Sequence, residues 1–190
     1  MIIYLHGLNS SPLSEKCVLL TEYCAKKGVD LIAPQLHHRP QRAMAQIEPL
    51  LQEEGEHLLV GSSMGGYYAT WLCEHHSNAR AVLINPAVRL ADKIGDYVGK
   101  EQINYHNPED KYMFGEEHLR EFRELEITTI TAPEKYFLLA QTGDELLDYR
   151  EAEALYAGAK QVIEDGGSHS FDGFERFIPE VVQFSGATPL

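Results

Sequence analysis

Short apolar runs alternate along the chain with longer stretches in which apolar residues recur every three or four positions. The runs "IIYL", "VDLIAP", "HLLVG", "RAVLINP", "KYFLLAQTG" and "KQVIED" read as six strands. The intervening spacing predicts helices over about 12–27, 40–53, 64–76, 149–157 and 172–184. Gly28 ends the first of these, and Pro34 stops the second strand. Strands alternating with helices predict a parallel sheet covered by helices on both faces. Neither an internal repeat nor a linker interrupts the pattern, so one domain is expected over residues 1–190. Residues 86–134 stand out, because they show no strand alternation and carry several charged helical stretches. A helical insertion is expected there, of the kind that serves as a small lid or a binding element. The end, "SGATPL", is expected to fray.

Composition narrows the function. A chain of 190 residues, 44% hydrophobic and 24% charged, is long enough for a real core. A net charge of −13 argues against nucleic acid and against anionic membrane surfaces, both of which call for basic patches. No apolar run approaches the roughly 18 residues of a membrane span. Cys17, Cys24 and Cys73 are odd in number and lack metal-ligand spacing, and "MIIYLHG" enters a strand directly. Those features suit a reducing cytoplasm, with the cysteines as small apolar filler. No H-E-x-x-H or Cys/His ligand set occurs, so neither a metal nor a cofactor is expected.

The chemistry is concentrated in "LLVGSSMGGYYATW", residues 58–71. Ser63 has Gly61 two positions before it and Gly65 two after, which is G-x-S-x-G. Ser62 lacks that frame and reads as a packed turn residue. A serine on a sharp strand-to-helix turn adopts a strained backbone, and neighbouring chain packs so closely that the flanking positions need glycine. The context fits: "HLLVG" precedes the motif, and Met64, Tyr67, Tyr68, Trp71 and Leu72 follow at helical spacing.

A serine nucleophile needs a base, and the base needs a carboxylate to fix its tautomer. In an open parallel sheet, reactive groups gather beyond the carboxyl ends of the strands. "QTGDELLDY" places Asp144 just past the fifth strand, and "VIEDGGSHSF" places His169 just past the sixth. The order Ser63, Asp144, His169 is that of the α/β-hydrolases. Glu145 and Asp148 compete for the acid role, with Asp148 better placed as a helix N-cap and Asn85 as a supporting group. The oxyanion of an acyl transfer is assigned to the backbone N–H groups of Met64 and Leu8, the latter in the turn opened by His6 and Gly7. His6 is the rival base but has no evident acid, and is expected to shape that turn. His37 and His38 read as a solvated loop pair at the pocket edge. His75 and His76 end the helix after the motif, where the dipole favours them. In the insertion, Tyr97, Tyr105, Tyr112, Phe114 and Phe122 are candidates for an apolar wall or for core.

The stretches "YLHGLNSSP", "PQL", "GSSMGGYYATWL", "INPAVR", "QTGDELLDYR" and "GGSHSFDGFE" resemble the YqiA-type bacterial esterases, small α/β-hydrolases with little or no cap. The matches run in order from about Tyr4 to Glu175. One departure is Leu8, where the family often has phenylalanine, and it bears only on pocket shape. The resemblance implies a cytoplasmic serine esterase with Ser63, Asp144 and His169 as its triad, on a core lacking the first two strands of larger relatives. The expected fold is a compact doubly wound sheet of about six mostly parallel strands, order 2-1-3-4-5-6. The expected function is hydrolysis of a small-molecule acyl ester through an acyl-enzyme. An acyl thioesterase, an acyltransferase or a C–C hydrolase would use the same triad, and a non-catalytic binding protein could keep it idle.

Overall fold

The computed structural model describes residues 1–186. The tail from residue 187 onward, including most of the stretch expected to fray, lies outside the described residues. In chain order the elements are β1 (Ile2–Leu5), α1 (Glu15–Lys26), β2 (Leu31–Ile32), α2 (Pro40–Ile47), β3 (His57–Ser62), α3 (Met64–His75) and β4 (Ala79–Ile84). Then follow α4 (Leu90–Lys93), β5 (Glu101–Asn104), β6 (Asn107–Met113), α5 (Glu116–Glu124), β7 (Tyr136–Gln141), α6 (Tyr149–Leu155), β8 (Lys160–Glu164) and α7 (Ile178–Phe184).

Six strands form one parallel sheet in the order β2-β1-β3-β4-β7-β8. This differs from the expected numbering only because β5 and β6, an antiparallel hairpin, intervene in the chain. The side chains obey the two-residue period of a strand. Ile2, Tyr4, Leu58, Val60, Val82, Ile84, Phe137 and Leu139 point to one face, into a core closed by α1 and α7. Ile3, Leu5, Leu59, Ala81, Leu83, Tyr136, Leu138 and Ala140 point to the other, into a larger core with α2, α3 and α5. Burying one such aliphatic side chain contributes about 1.5–3 kcal/mol, and the four central strands are buried on both faces. The outer strand β2 is only two residues long and is followed by Pro34, which limits the exposed edge.

Several expected boundaries move for local reasons. The first helix begins at Glu15 rather than Pro12, because Ser11 Oγ accepts the Leu13 N–H and its carbonyl accepts the Ser14 N–H, holding a turn there. The second ends at Ile47 and continues as a 3₁₀ turn over Glu48–Gln52, since Pro49 has no N–H to extend the α-helical ladder. The last splits into a 3₁₀ turn, Phe174–Arg176, and α7, after the left-handed Gly173 (φ 74°) and with Pro179 in the first turn.

The segment 86–134, expected to be helical, is corrected: it holds α4 and α5 but also the β5–β6 hairpin. Phe114 and Phe122 are fully buried core residues, whereas Tyr105 is 75% exposed. His37 and His38 are not a solvated pair either. The His38 ring stacks on Tyr112, with centroids 4.1 Å apart, and its Nδ1 lies 2.8 Å from Nε2 of the buried His118. His118 Nδ1 accepts the Gly115 N–H (3.0 Å), so its proton sits on Nε2 and is donated to His38. Both rings must therefore be neutral. Burial first, then the neighbouring His37, His118 and Arg39, push the His38 pKa from an ordinary 6.5 down to about 4. Burial also lowers His118. The unfolded chain then binds more protons than the folded one between about pH 6.5 and 4, so stability falls as pH drops through that window. Tm is expected to fall there, and the His38→Phe variant, which keeps the ring stack but cannot titrate, should lose less, by on the order of a few degrees. Parallel curves for the two proteins would contradict the neutral-pair assignment.

Candidate active site

Strand register brings the carboxyl ends of the strands to one edge. Leu5 pairs with Gly61, Ser62 with Ile84, Ile84 with Leu139, and Gln141 with Glu164. The loops after β1, β3, β4, β7 and β8 therefore open side by side, where an open parallel sheet places its ligands.

Ser63 is the one residue between β3 and α3, at φ 55°, ψ −118°. That left-handed value is costly for a residue with a side chain, and the close packing around it maintains it. A Cβ on Gly65 would fall on the Leu5 carbonyl, and one on Gly61 would fall on the Gly65 carbonyl. Both obstacles are backbone, so neither can yield. Ser62 ends β3 and is buried. The chain at Gly7 passes Ser63 so closely that a Cβ there would stand 3.4 Å from the serine Cβ and 3.9 Å from its Oγ.

His169 Nε2 lies 3.1 Å from Ser63 Oγ, and its Nδ1 lies 2.8 and 3.0 Å from the two Asp144 carboxylate oxygens. The Asp144 side chain is 2% exposed, and its Oδ1 also accepts the N–H groups of Leu146 and Leu147, both at 2.9 Å. The three candidate residues, far apart in the chain, thus form one hydrogen-bonded line. Glu145 instead accepts the backbone N–H of His169 (2.9 Å), which holds its carboxyl below the usual range. Asp148 caps α6, accepting the Arg150 N–H and pairing with the Arg150 guanidinium. His6 is buried, with Nε2 accepting the Leu36 N–H (3.0 Å) and Nδ1 left to donate to the Gly7 carbonyl (2.8 Å). Burial lowers its pKa, consistent with that neutral tautomer. Both ring nitrogens are committed to backbone, so His6 holds the turn that carries Leu8.

Two further residues organise the His169 loop. Asn85, at φ 40°, donates to the carbonyls of Ser168 (2.9 Å) and His169 (3.1 Å) while accepting the Gln141 N–H. Gln141, which sequence reasoning missed, is 3% exposed. Its Oε1 accepts the Ser168 and Asp172 N–H groups, and its Nε2 donates to Glu164 and to the Asp172 carbonyl. The only signal was a lone amide side chain closing the apolar run "YFLLA". Lys16 adds a tie from α1, donating to the Ser170 carbonyl at 2.7 Å.

Ser63 and His169 open into a cavity of about 470 Å³, within the range of small-molecule sites. Leu8, Met64, Leu90, Ile94 and Leu147 give it apolar walls, and Tyr97, Tyr105 and Leu146 reach its mouth. A second cavity of about 350 Å³ adjoins it across Leu8, Ser10 and Met64, and includes His37, His38 and Tyr112. Met64 is the first residue of α3, so its N–H belongs to the positive end of that helix. Cys17, Cys24 and Cys73 are buried free thiols. Among the described residues no helix is long and apolar enough to cross a membrane, and no group of three or more His, Cys, Asp or Glu residues could hold a metal ion.

Comparison with known proteins places this architecture. A family model described as an uncharacterised protein family, UPF0227, matches residues 1–186. Among solved structures, the chain is similar to α/β hydrolase domain-containing protein 10 from mouse. Identity is 16% and the TM-score 0.72, covering 96% of this chain and 89% of that one. It is similar to Est1E from Butyrivibrio proteoclasticus at 15% identity and a TM-score of 0.69, covering 96% and 85%. It is also similar to the methylesterase MES16 from Arabidopsis at 12% identity and a TM-score of 0.64, covering 96% and 97%. At these identities the likeness establishes the α/β-hydrolase fold.

Proposed function

The chain belongs to the family UPF0227, whose YqiA-type members its motifs resemble, and we propose that it is a serine esterase hydrolysing carboxylic (acyl) esters. The observation that carries this reading is the Asp144–His169–Ser63 line ending at a serine in the left-handed region, inside a cavity of small-molecule size. Ser63 Oγ attacks the acyl carbon while His169 Nε2 takes its proton. Asp144 accepts the Nδ1–H and stabilises the imidazolium. The oxyanion of the tetrahedral intermediate receives hydrogen bonds from the N–H groups of Met64 and Leu8. Collapse breaks the C–O bond, and the imidazolium returns its proton to the departing alcohol. Water then attacks the acyl-enzyme, again losing a proton to His169, and the acid leaves as Ser63 regains its hydrogen.

No cofactor enters these steps. The partner in this reading is a small acyl ester, and three buried free thiols suit a reducing cytoplasm. A ladder of p-nitrophenyl esters and acyl thioesters of increasing acyl length tests the proposal. Saturable turnover of the esters, exceeding that of thioesters of equal length, is expected. Preference for the thioesters would make the protein a thioesterase, and no turnover across the panel, with no reaction at Ser63, would leave a binding protein on a hydrolase fold.

A further inference from the structure

The residue after Leu8 is held in an unusual way. Asn9 stands at φ 57°, a left-handed conformation that asparagine tolerates better than most residues. Its polar groups turn toward the β5–β6 hairpin, more than ninety residues away in the chain. Asn9 Nδ2 donates to Gln102 Oε1 (3.0 Å), and its Oδ1 accepts the Tyr112 hydroxyl (2.8 Å). Its carbonyl accepts the Tyr105 N–H (2.8 Å). Ser10 continues the pattern, since its carbonyl accepts from Asn104 Nδ2 (3.1 Å) and its N–H closes the turn on the Gly7 carbonyl (3.2 Å). On the other side of Leu8, His6 bonds that same Gly7 carbonyl. Leu8 is thus bracketed by two anchors, one in the core and one in the hairpin.

Apart from Tyr112, whose ring stacks on His38 and packs against the core, and the buried Phe114 that follows β6, the hairpin has little else to hold it. Most of its residues are exposed, Asn104 being its buried exception, and Ile103 and Met113 face solvent. A two-stranded hairpin is marginal alone, so its bonds to Asn9 and Ser10 fix its place as much as they fix theirs.

The geometry points to Asn9 as a positioning residue, through which the hairpin fixes the direction of the Leu8 N–H and becomes part of the oxyanion site. This rests on the serine esterase reading above. A donor aimed at the transition state matters only if its direction is right, and a displacement of about 1 Å can cost on the order of 100-fold. A merely structural clamp would alter stability without separating kcat from KM.

Three variants test this on a p-nitrophenyl ester that the wild type turns over. Asn9→Gly keeps the left-handed backbone at no strain and removes both side-chain bonds. Its kcat is expected to fall about 10- to 100-fold with KM changed less than about threefold. Asn9→Asp keeps the acceptor for Tyr112, and Gln102 can turn its amide nitrogen toward the new carboxylate, so kcat is expected within about fivefold of wild type. Tyr112→Phe alone should lower kcat several-fold, and should add almost nothing on the Asn9→Gly background, because both changes remove the same contact. Asn9→Gly turning over within about twofold of wild type, a change in KM alone, or full additivity with Tyr112→Phe would overturn the proposal. If Asn9→Gly fails to fold, Tyr112→Phe decides by the same kcat and KM reading. A wild type that neither turns over an ester nor reacts at Ser63 removes the esterase reading itself, a result distinct from an active enzyme indifferent to Asn9.

Discussion

Replacing Ser63 with alanine is expected to lower ester turnover by at least about 10⁴-fold while leaving the fold intact. The loss is large because in the proposed mechanism the serine oxygen is the atom that becomes acylated, and among the described residues no other hydroxyl is bonded to His169 Nε2. Ser62 cannot substitute, since it is the last residue of β3 and buried. What remains should be the small acceleration that substrate binding and the Leu8 and Met64 N–H groups give to attack by water. Stability should scarcely change. The strain at φ 55° comes from the Cβ, which alanine shares, and the packing that holds the turn belongs to Gly61, Gly65 and the chain at Leu5. A steady-state assay paired with thermal melting separates the two effects. An alanine variant with an unchanged melt and near wild-type kcat would remove Ser63 from the mechanism.

Asp144→Asn is the second large effect, with kcat expected to fall by about 10²- to 10⁴-fold and KM nearly unchanged. The reason lies in the partners of the carboxylate. Its Oδ1 accepts the N–H groups of Leu146 and Leu147, so an amide there will keep its oxygen toward them. The amide nitrogen then faces His169 Nδ1, which must accept and can no longer carry a proton. The imidazole proton moves to Nε2, directed at Ser63, and the ring loses the lone pair that would take the serine hydrogen. The imidazolium also loses its counter-charge in a site where that carboxyl is almost wholly enclosed. Substrate contacts are untouched, which is why KM should hold. Full activity in Asp144→Asn would move the acid role elsewhere.

Much of this arrangement is legible in the chain because it is written locally. G-x-S-x-G needs only five residues, and the apolar runs around it carry the strand register that brings Asp144 and His169 to the same edge. Asp144 could be preferred to Asp148 as the candidate acid because a helix N-cap is also a local pattern, realised in the Arg150 N–H bonded to Asp148. What stayed hidden depends on partners distant in sequence. The hairpin strands "EQIN" and "NPEDKYM" have no apolar alternation, since they lie at the surface and are fixed by polar bonds to Asn9 and Ser10 and by the single ring of Tyr112 rather than by an apolar face. His38 looks like a solvated loop residue until His118, eighty positions later, is placed against it. Gln141 is one amide at the end of an apolar strand, and its bonds to Ser168 and Asp172 exist only once the β8 loop folds over it. Asn85 could be read as a supporting group, but its grip on the carbonyls of the histidine loop could not.

Everything proposed for this site depends on Ser63 Oγ acting as a nucleophile activated by His169. Reaction with an active-site-directed fluorophosphonate, followed by mass mapping of the modified peptide, tests it most directly. A single stoichiometric adduct on Ser63 is expected in the wild type, none in Ser63→Ala, and slower formation in Asp144→Asn. Equal modification of Ser63→Ala, or an adduct on another residue of the wild type, would contradict it.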